Sequence, residues 1–253
     1  MLIIDRKIHL FKVREIFFAH APIDVQGCHY VVYSACKNPP GDRTFACEKV
    51  STLIIDLTQD LDAIWSKMDK KSCQYMIKRA GRETIRIKMN ENYEEFGRIN
   101  RNFKKHKGLG TFYSMDRIAR LKEGLLLTAE VNGEVVAGQS YLESDTHIRW
   151  IIGASKRLEV DKEKAILIGC ANRLMTWEAI KYAKDKGIRE FDMGGYYTGE
   201  DKNDSRFSVN SYKKSFGGVV VDRYTCTKSY SMLWNLAQKL NSFGRALRGL
   251  SRS

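Results

Sequence analysis

Two adjacent lysines near the end of the chain are the first residues whose type and setting could do chemistry. Lys213 and Lys214 lie in the segment Asn210–Gly218, between Tyr212 and Phe216 and just before a glycine pair. An ammonium group at the entrance to a strand could hold a phosphate or stabilise a developing oxyanion. A lysine taken singly is more often a solvent-facing residue, so this segment predicts a candidate site with a plain alternative.

A second candidate is the segment Phe191–Gly199, in which an acid precedes two glycines. Asp192 comes at the end of a predicted strand, and Gly194 and Gly195 follow it. Glycines let the backbone approach a ligand closely at the carboxyl end of a strand. The alternative is a tight turn without a ligand, because glycine pairs often only mark turns.

A strongly basic stretch runs from Trp65 to Gly108. It contains 13 Lys and Arg residues against five acids, and Lys78, Arg79 and Arg82 cluster at the end of a predicted helix. Such an excess attracts phosphates or an anionic polymer. A solvated helical face without a ligand is the equally open alternative, because charge runs are weak indicators of function.

The cysteines and histidines do not have the spacing of a metal site or of a covalent nucleophile. The six cysteines contain no CxxC pair and the five histidines contain no HxxxH pair, so no metal site is predicted. No Ser/His/Asp or Cys/His arrangement stands out, which disfavours a covalent acyl-enzyme. We expect the cysteines to be reduced thiols, as is usual in cytoplasmic proteins.

Hydrophobic periodicity and turn signals predict the elements that would position these residues. The predicted strands are 7–18, 28–35, 52–57, 84–89, 125–131, 134–143, 147–154, 189–193 and 218–227. The predicted helices are 61–68, 70–80, 93–103, 115–123, 163–186, a short one near 210–215 and the tail from 229. Asn132-Gly133 predicts a two-residue hairpin turn. This order predicts a mixed, mostly antiparallel α/β sheet flanked by helices.

Composition bounds the class of protein. The chain has 253 residues, a formal net charge of +13, 43% hydrophobic residues and three prolines, which excludes a disordered protein. No apolar run approaches the ~20 residues that a membrane span needs, and residues 1–8 do not form a secretory signal. We expect a cytoplasmic protein with a β-rich lead-in at 1–57, a core at 58–227 and a C-terminal helix at 228–253.

Taken in order, the three candidate segments resemble the motifs of the Fem family. The pattern comprises the basic helix end Ile77–Arg82, a stretch that begins at Trp177 and ends at Gly194-Gly195, and Tyr212–Gly218. Fem proteins are GNAT-fold transferases that move an amino acid from aminoacyl-tRNA onto peptidoglycan-precursor side chains. The resemblance covers roughly residues 52 to 226 and extends to Fem-like acyltransferases of polysaccharide, capsule and cellulose synthesis. It implies a GNAT-like acyltransferase fold in which 1–57 is a remnant of a first GNAT-like domain.

The resemblance also implies a role for each candidate residue. Lys213 would contact the oxyanion or a phosphate, and Asp192 would orient or deprotonate the acceptor amine, with a structural hydrogen bond as the alternative for Asp192. The residues implied to bind or surround a phosphate-bearing, nucleotide- or lipid-linked acceptor are Lys78, Arg79, Arg82, Tyr197, Arg206, Tyr212 and Phe216. Those implied at the donor are Lys156, Arg157, Gly194 and Gly195.

The donor stays open between an acyl-CoA and an aminoacyl-tRNA. The chain has room for one complete GNAT-like copy and shows no counterpart of the helical arm that some Fem proteins use near tRNA. The turn at Gly153–Glu159 also lacks the glycine-rich phosphate loop of acetyl-CoA-dependent GNAT enzymes, whose backbone amides bind pyrophosphate. Either donor would act as a cosubstrate, and no tightly bound cofactor is expected.

The tail from residue 229 to 253 is predicted to be a basic amphipathic helix. It could lie on an anionic membrane surface or pack on its own domain. We therefore predict an N-acyltransferase of cell-envelope or surface-polysaccharide synthesis, in the cytoplasm and at the inner face of the cell membrane if the tail binds lipid. The alternative is a non-catalytic degenerate GNAT module that binds RNA or an anionic glycan, although no recognised RNA-binding signature is present.

Overall fold

The computed structural model describes residues 1–41, 43–108, 121–201, 204 and 206–239. Contacts within the chain define two compact units, one formed by Met1–Val50 with Asp222–Ser253 and the other by Ser51–Val221. Because the second unit is inserted into the first along the sequence, we call them the flanking unit and the inserted unit. The division at 1–57, 58–227 and 228–253 that the sequence predicts remains a prediction about domain organisation.

Ten strands and five α-helices lie wholly within the described residues. The strands are β1 (Leu2–Ile8), β2 (Phe11–Phe17), β3 (Tyr30–Cys36), β4 (Ala46–Asp56), β5 (Ile85–Met89), β6 (Leu125–Val131), β7 (Glu134–Glu143), β8 (His147–Ser155), β9 (Glu190–Gly195) and β10 (Val219–Ser229). The helices are α1 (Leu61–Ser66), α2 (Tyr75–Ala80), α3 (Tyr93–His106), α4 (Lys162–Asp185) and α5 (Arg206–Lys214). Within these ranges, no helix combines the length and apolar character that a membrane crossing requires.

The inserted unit contains a mixed sheet in the order β4-β9-β8-β7-β6-β5. The pair β8–β9 is parallel, and the other neighbouring pairs are antiparallel. Asn132 and Gly133 form the predicted two-residue turn between β6 and β7, with φ values of 51° and 80° that such a turn requires. Helix α4 is the crossover that joins the two parallel strands. The predicted mixed, mostly antiparallel sheet with flanking helices is confirmed.

Helices cover both faces of this sheet. Ile168 and Met175 of α4 are fully buried in one cluster with Leu125 of β6. The next residue of the strand, Leu126, belongs to a separate cluster with Phe96 of α3, because successive side chains of a strand point to opposite faces. Each such buried side chain stabilises the fold by about 1.5–3 kcal/mol, so α4 and α3 together fix the sheet that carries the candidate site.

The flanking unit contains its own strand set, formed by β1, β2, β3 and residues 222–229 of β10. The β1–β2 and β3–β10 pairs are antiparallel, whereas β2–β3 is parallel. A disulfide joins Cys47 to Cys226, so the expectation that every cysteine is reduced is wrong for these two. The two positions are 179 residues apart, and only the folding of β4 and β10 brings them together, which no local spacing could indicate.

Several predicted boundaries shift for local reasons. The predicted strand 7–18 is two strands, because the chain reverses at His9, whose φ is 54°. The predicted helix 70–80 begins as a π-helical turn, Lys70–Gln74, whose first turn is capped by Asp69. Most of the predicted helix 115–123 lies outside the described residues. In the tail, residues 232–239 are helical, and 240–253 lie outside the described part.

Candidate functional site

The candidate site is a cavity of about 620 Å³ in the inserted unit, at the carboxyl ends of the parallel strands β8 and β9. The regular pairing of these strands runs from His147↔Glu190 to Arg149↔Asp192. Beyond it, β8 continues to Ser155 and β9 continues to Gly195, and both continuations line the cavity. The carboxyl ends of neighbouring parallel strands are where α/β folds commonly bind ligands.

The charged side chains that line the cavity are all cationic among the described residues. The described lining includes the cationic residues Lys107, Arg157, Arg173 and Lys213 and no carboxylate. Such a lining attracts an anionic ligand, because low-dielectric walls focus the field of like charges. Within the described ranges, no cluster of three or more His, Cys, Asp or Glu side chains could hold a metal ion.

Lys213 is the most buried cation of the cavity. Its side chain comes from α5, the residue is 6% exposed, and Nζ donates a hydrogen bond to the Gly195 carbonyl oxygen at 2.5 Å. Nζ also lies 5.6 Å from the centroid of the Trp150 ring. Burial lowers the pKa of Lys213 to about 8, with Asp192 opposing that change. The group is therefore mainly an ammonium ion at pH 7, with further N–H donors for a ligand.

The two glycines at the end of β9 let this ammonium approach the backbone. Gly194 has a φ of +77°, and a Cβ placed there would lie 3.0 Å from the Trp150 carbonyl oxygen and 3.7 Å from Lys213 Nζ. A side chain at this position would be strained and would crowd the lysine. Both Gly194 and Gly195 line the cavity, as the sequence predicts for a close approach to a ligand.

Asp192 lies beneath the cavity and is not among its described lining residues. It is 2% exposed, and its carboxylate accepts hydrogen bonds from Thr52, from Arg149 and from the Gly194 amide. These donors occupy both carboxylate oxygens. The geometry favours the structural hydrogen-bond alternative, in which Asp192 fixes the strand ends under Lys213.

Tyr212 forms the wall next to Lys213. Its hydroxyl donates to the Asn172 carbonyl oxygen at 3.0 Å and lies 2.8 Å from Thr176 Oγ1. Burial raises the pKa of Tyr212 to about 12, so the phenol keeps its proton at neutral pH. Phe216 is fully buried behind it, with ring centroids 5.4 Å apart, and supports the wall without lining the cavity.

The two cations predicted at the donor have different environments. Arg157 is exposed and lines the cavity. Lys156 does not line it, because its ammonium is held by Glu134 at 3.0 Å and by Glu95 at 3.4 Å. The structure therefore brings Arg157 and the glycine pair to the cavity and leaves Lys156 on an ion-paired surface.

The basic helix end does not reach the cavity. Lys78 lies over the Trp65 ring at 5.8 Å, Arg79 is 3.5 Å from Glu83, and Arg82 is exposed. These side chains form a surface on α2 and the residues after it. None of the three is among the described lining residues.

Arg206 and Tyr197 form a separate pair beside the cavity. The Arg206 guanidinium stacks on the Tyr197 ring at 3.9 Å and is held by Asp204 at 2.6 Å. The Tyr197 amide donates to Asn210 Oδ1 at 3.0 Å, which ties the chain after β9 to α5. Neither residue is among the described residues that line the cavity.

Arg173 and Trp150 are cavity residues that the sequence analysis did not single out. The guanidinium carbon of Arg173 lies 5.1 Å from the Tyr212 ring centroid. A signal for it existed, because Arg173 interrupts the apolar inner stripe of α4 between Cys170 and Leu174. For Trp150 the sequence offered no such signal, because only the structure shows that its ring fills the space next to Gly153.

Comparisons with known proteins identify this architecture. A family model described as an acetyltransferase (GNAT) domain matches residues 98–214, just under half of the chain. The crystal structure of FemX superposes with a TM-score of 0.64 at 10% identity over 93% of this chain and 85% of FemX. L-PGS from Bacillus licheniformis gives 0.50 at 15% identity over 78% and 67% of the two chains. None of the curated proteins compared with this chain matches it in sequence.

A third structure extends the comparison. The C-terminal domain of a candidate lysylphosphatidylglycerol synthetase from Agrobacterium fabrum gives a TM-score of 0.53 at 10% identity, over 79% of this chain and 68% of that domain. At such identities these likenesses concern the fold. The chain has the GNAT-type α/β fold predicted from its sequence, and the described residues that line the cavity all lie within the stretch that matches the GNAT acetyltransferase model.

Proposed function

We propose that this protein is an N-acyltransferase that moves an acyl or aminoacyl group onto an amine of a cell-envelope or surface-polysaccharide precursor. The observation that carries the proposal is the buried Lys213 ammonium at the end of β9, inside a cationic cavity between β8 and β9. The GNAT domain match and the FemX-like fold support acyl transfer as the reaction class.

The proposed reaction needs an electrostatic group more than a nucleophile. A neutral acceptor amine attacks the ester or thioester carbonyl, and negative charge develops on the carbonyl oxygen. Collapse of this tetrahedral intermediate breaks the C–S or C–O bond and releases the thiol or hydroxyl group of the donor. Lys213 would donate to that oxyanion, which a preorganised cation in a dry cavity stabilises strongly. With a pKa of about 8, Lys213 is charged in the neutral range where this is required.

Asp192 would act as a positioning residue in this mechanism. It holds the Gly194 amide at 2.7 Å and is also bonded to Arg149, at the point where the β8–β9 pairing ends. Its negative charge also favours the ammonium form of Lys213. We therefore propose that the proton lost by the attacking amine passes to solvent or to a group of the substrate, and not to Asp192.

The donor is proposed to enter between the two strands. Beyond Arg149 and Asp192, β8 and β9 have no regular pairing with each other among the described residues, so an extended, amide-bearing donor arm could lie between the two strands. Arg157, Gly194 and Gly195 would contact it. An acyl-CoA is one candidate donor, because the matching family model is described as an acetyltransferase domain. An aminoacyl-tRNA is the other candidate, because lysylphosphatidylglycerol synthetase, which has a similar fold, is named after an aminoacylated lipid.

The acceptor is proposed to be a phosphate-bearing sugar or lipid-linked precursor. Lys78, Arg79 and Arg82 would meet its phosphate outside the cavity, and Tyr197 with Arg206 would border the path to Lys213. A lipid-linked acceptor would suit a cytoplasmic protein that touches the inner membrane face through its C-terminal helix. In that helix, Met232, Leu233 and Leu236 are exposed apolar residues.

The test is a donor panel with matched lysine variants. Acetyl-CoA, longer acyl-CoAs and aminoacyl-tRNA are each incubated with amine-bearing, nucleotide-linked sugars, and products are identified by mass. We expect transfer from one donor, a roughly 10²–10³-fold lower kcat in Lys213→Met, and normal kcat in Lys214→Met, whose lysine is the exposed neighbour. Salt-sensitive RNA or glycan binding without transfer from any donor would instead favour the non-catalytic module.

A further inference from the structure

Arg173 lines the cavity and has a buried hydrogen-bond donor without a partner among the described residues. The residue lies about three turns into α4, well past the turn between β8 and α4. Its Nη1 donates to the Gly169 carbonyl oxygen at a long distance of 3.4 Å. Its Nε is buried and has no hydrogen-bond partner among the described residues. Buried donors in folded proteins are normally satisfied, so this atom requires a partner that the described residues do not supply.

The charge of Arg173 is also not neutralised within the cavity. The described lining contains no carboxylate, and the three other lining cations add to the same positive potential. The neighbouring groups respond to that charge: burial raises the pKa of Tyr212 to about 12, and Arg173 opposes the rise. An uncompensated guanidinium in a low-dielectric wall is costly unless a ligand brings the counter-charge.

The chemistry of the guanidinium indicates the kind of ligand. The guanidinium carbon of Arg173 lies over the Tyr212 ring, 5.1 Å from the ring centroid. A guanidinium can donate two N–H groups to two oxygens of one carboxylate or phosphate. Exposed Arg157 and Lys107 provide additional attraction on the same lining.

We propose that Arg173 binds an anionic group of the cavity ligand, a carboxylate or a phosphate, while Lys213 donates a hydrogen bond to the oxygen of the reacting carbonyl. The inference rests on the proposed function and narrows it, because the substrate that fills the cavity must carry a negative charge within reach of α4. It also separates two cations that share one cavity: Arg173 binds, and Lys213 stabilises the transition state.

The binding test uses simple anions and the full chain. Affinities of inorganic pyrophosphate and of malonate are measured by calorimetry at constant ionic strength for the wild type, Arg173→Met, Arg173→Lys and Arg98→Met. Arg98 is an exposed, ion-paired arginine of α3, so its variant removes the same charge away from the cavity. We expect Arg173→Met to weaken binding by about ten-fold or more, Arg173→Lys to weaken it less, and Arg98→Met to remain within about two-fold.

Two results would overturn the proposal. One is a wild type that binds neither anion at about 10 mM, and the other is an Arg173→Met variant with wild-type affinity. If the variants fold poorly, modification of arginines in the wild-type protein by phenylglyoxal tests the same proposal. Pyrophosphate or malonate must then protect Arg173 selectively, and an unchanged modification rate at Arg173 would contradict the assignment.

Kinetics distinguish the two sources of the anionic group. With an active donor–acceptor pair, Arg173→Met should raise the KM of the substrate that carries the group by about ten-fold and change kcat little. A raised donor KM assigns the group to the donor, and a raised acceptor KM assigns it to the acceptor. Because the binding test needs no turnover, a chain that binds anions through Arg173 but transfers nothing would refute the proposed function and retain this site.

Discussion

The parallel strands β8 and β9 have a paired end and an open end, and each end carries a lysine. At the paired end, Lys186 is half-exposed and donates to Glu143 at 2.6 Å, which raises its pKa to about 12. At the open end, Lys213 is buried and donates to a neutral carbonyl, and burial lowers its pKa to about 8. The same side chain is thus stabilised as a cation at one end and destabilised at the other.

The difference separates a structural lysine from a candidate functional one. Lys186 has a carboxylate and the Tyr182 hydroxyl as partners, so its charge is already compensated. Lys213 has the Gly195 carbonyl oxygen and the Trp150 ring, which leave its charge available to a ligand. A charge that costs stability where it stands is a recurrent property of binding and catalytic sites.

The largest expected change in stability comes from removing the buried charge. Lys213→Met should raise the free energy of unfolding at pH 7 by up to about 3 kcal/mol, because the variant no longer buries an ammonium ion. The lost hydrogen bond to Gly195 offsets about 1 kcal/mol of that gain. Urea denaturation measures the change, with Lys214→Met as the exposed control. A destabilised Lys213→Met would remove the contrast between the two lysines.

The pH dependence of stability sharpens the same contrast. The folded pKa of Lys213 lies below its ordinary value of 10.5, so between about pH 8 and 10.5 the unfolded chain binds the proton more tightly. Wild-type stability from this group therefore rises with pH there, by at most about 1.4 kcal/mol per unit. The advantage of Lys213→Met should shrink over that range, as parallel denaturation series can check. A constant advantage from pH 8 to 10 would argue that Lys213 is not a desolvated ammonium.

A matched pair of glycines tests whether the open end of β8 and β9 carries the site of acyl transfer. Gly194 and Gly187 have φ values of +77° and +74°, and a Cβ added at Gly194 would have atoms within 4 Å, whereas one added at Gly187 would not. Alanine at either position should cost roughly 1–2 kcal/mol of stability through backbone strain. Only Gly194→Ala should also lower acyl transfer, because its Cβ meets the Trp150 carbonyl and crowds Lys213. Equal activity in both variants would contradict a site at this strand end.

The smallest expected effect is at the paired end. Glu143→Gln should let the pKa of Lys186 fall toward its ordinary value and cost less than about 1 kcal/mol, because the pair is half-exposed. Acyl transfer should be unchanged. Denaturation at low and high salt checks the stability change, and a loss of activity would mean that the two ends are coupled.

Much of the scaffold of the site was predictable from the sequence. The Asn132-Gly133 turn, the strands with alternating apolar and polar residues and the long apolar stripe of α4 are local patterns. The structure contains each of these elements. The segment Phe191–Gly195 was placed at a strand end for the same reason. Local patterns predict elements well because each is set by residues close together in sequence.

The contents of the site were less predictable because they depend on distant residues. Lys156 was predicted at the donor, yet Glu134 holds it from the facing strand. Asp192 was predicted either to orient or deprotonate the acceptor amine or to form a structural hydrogen bond, and its partners Thr52 and Arg149 became visible only in the structure. Arg173 interrupts the apolar stripe of α4, but only the structure shows that its guanidinium lies over the Tyr212 ring in the cavity wall. Side chains whose partners are distant in the sequence produce no local spacing pattern from which the contact could be predicted.

The disulfide between Cys47 and Cys226 turns most of the chain into a covalent loop. That loop contains every residue of the inserted unit, Ser51–Val221. A protease that cuts the loop once therefore produces two fragments that stay joined by the disulfide. They separate only after a reductant is added. Nicked and intact protein would differ on a reducing gel and coincide in mass, apart from one added water, without reductant.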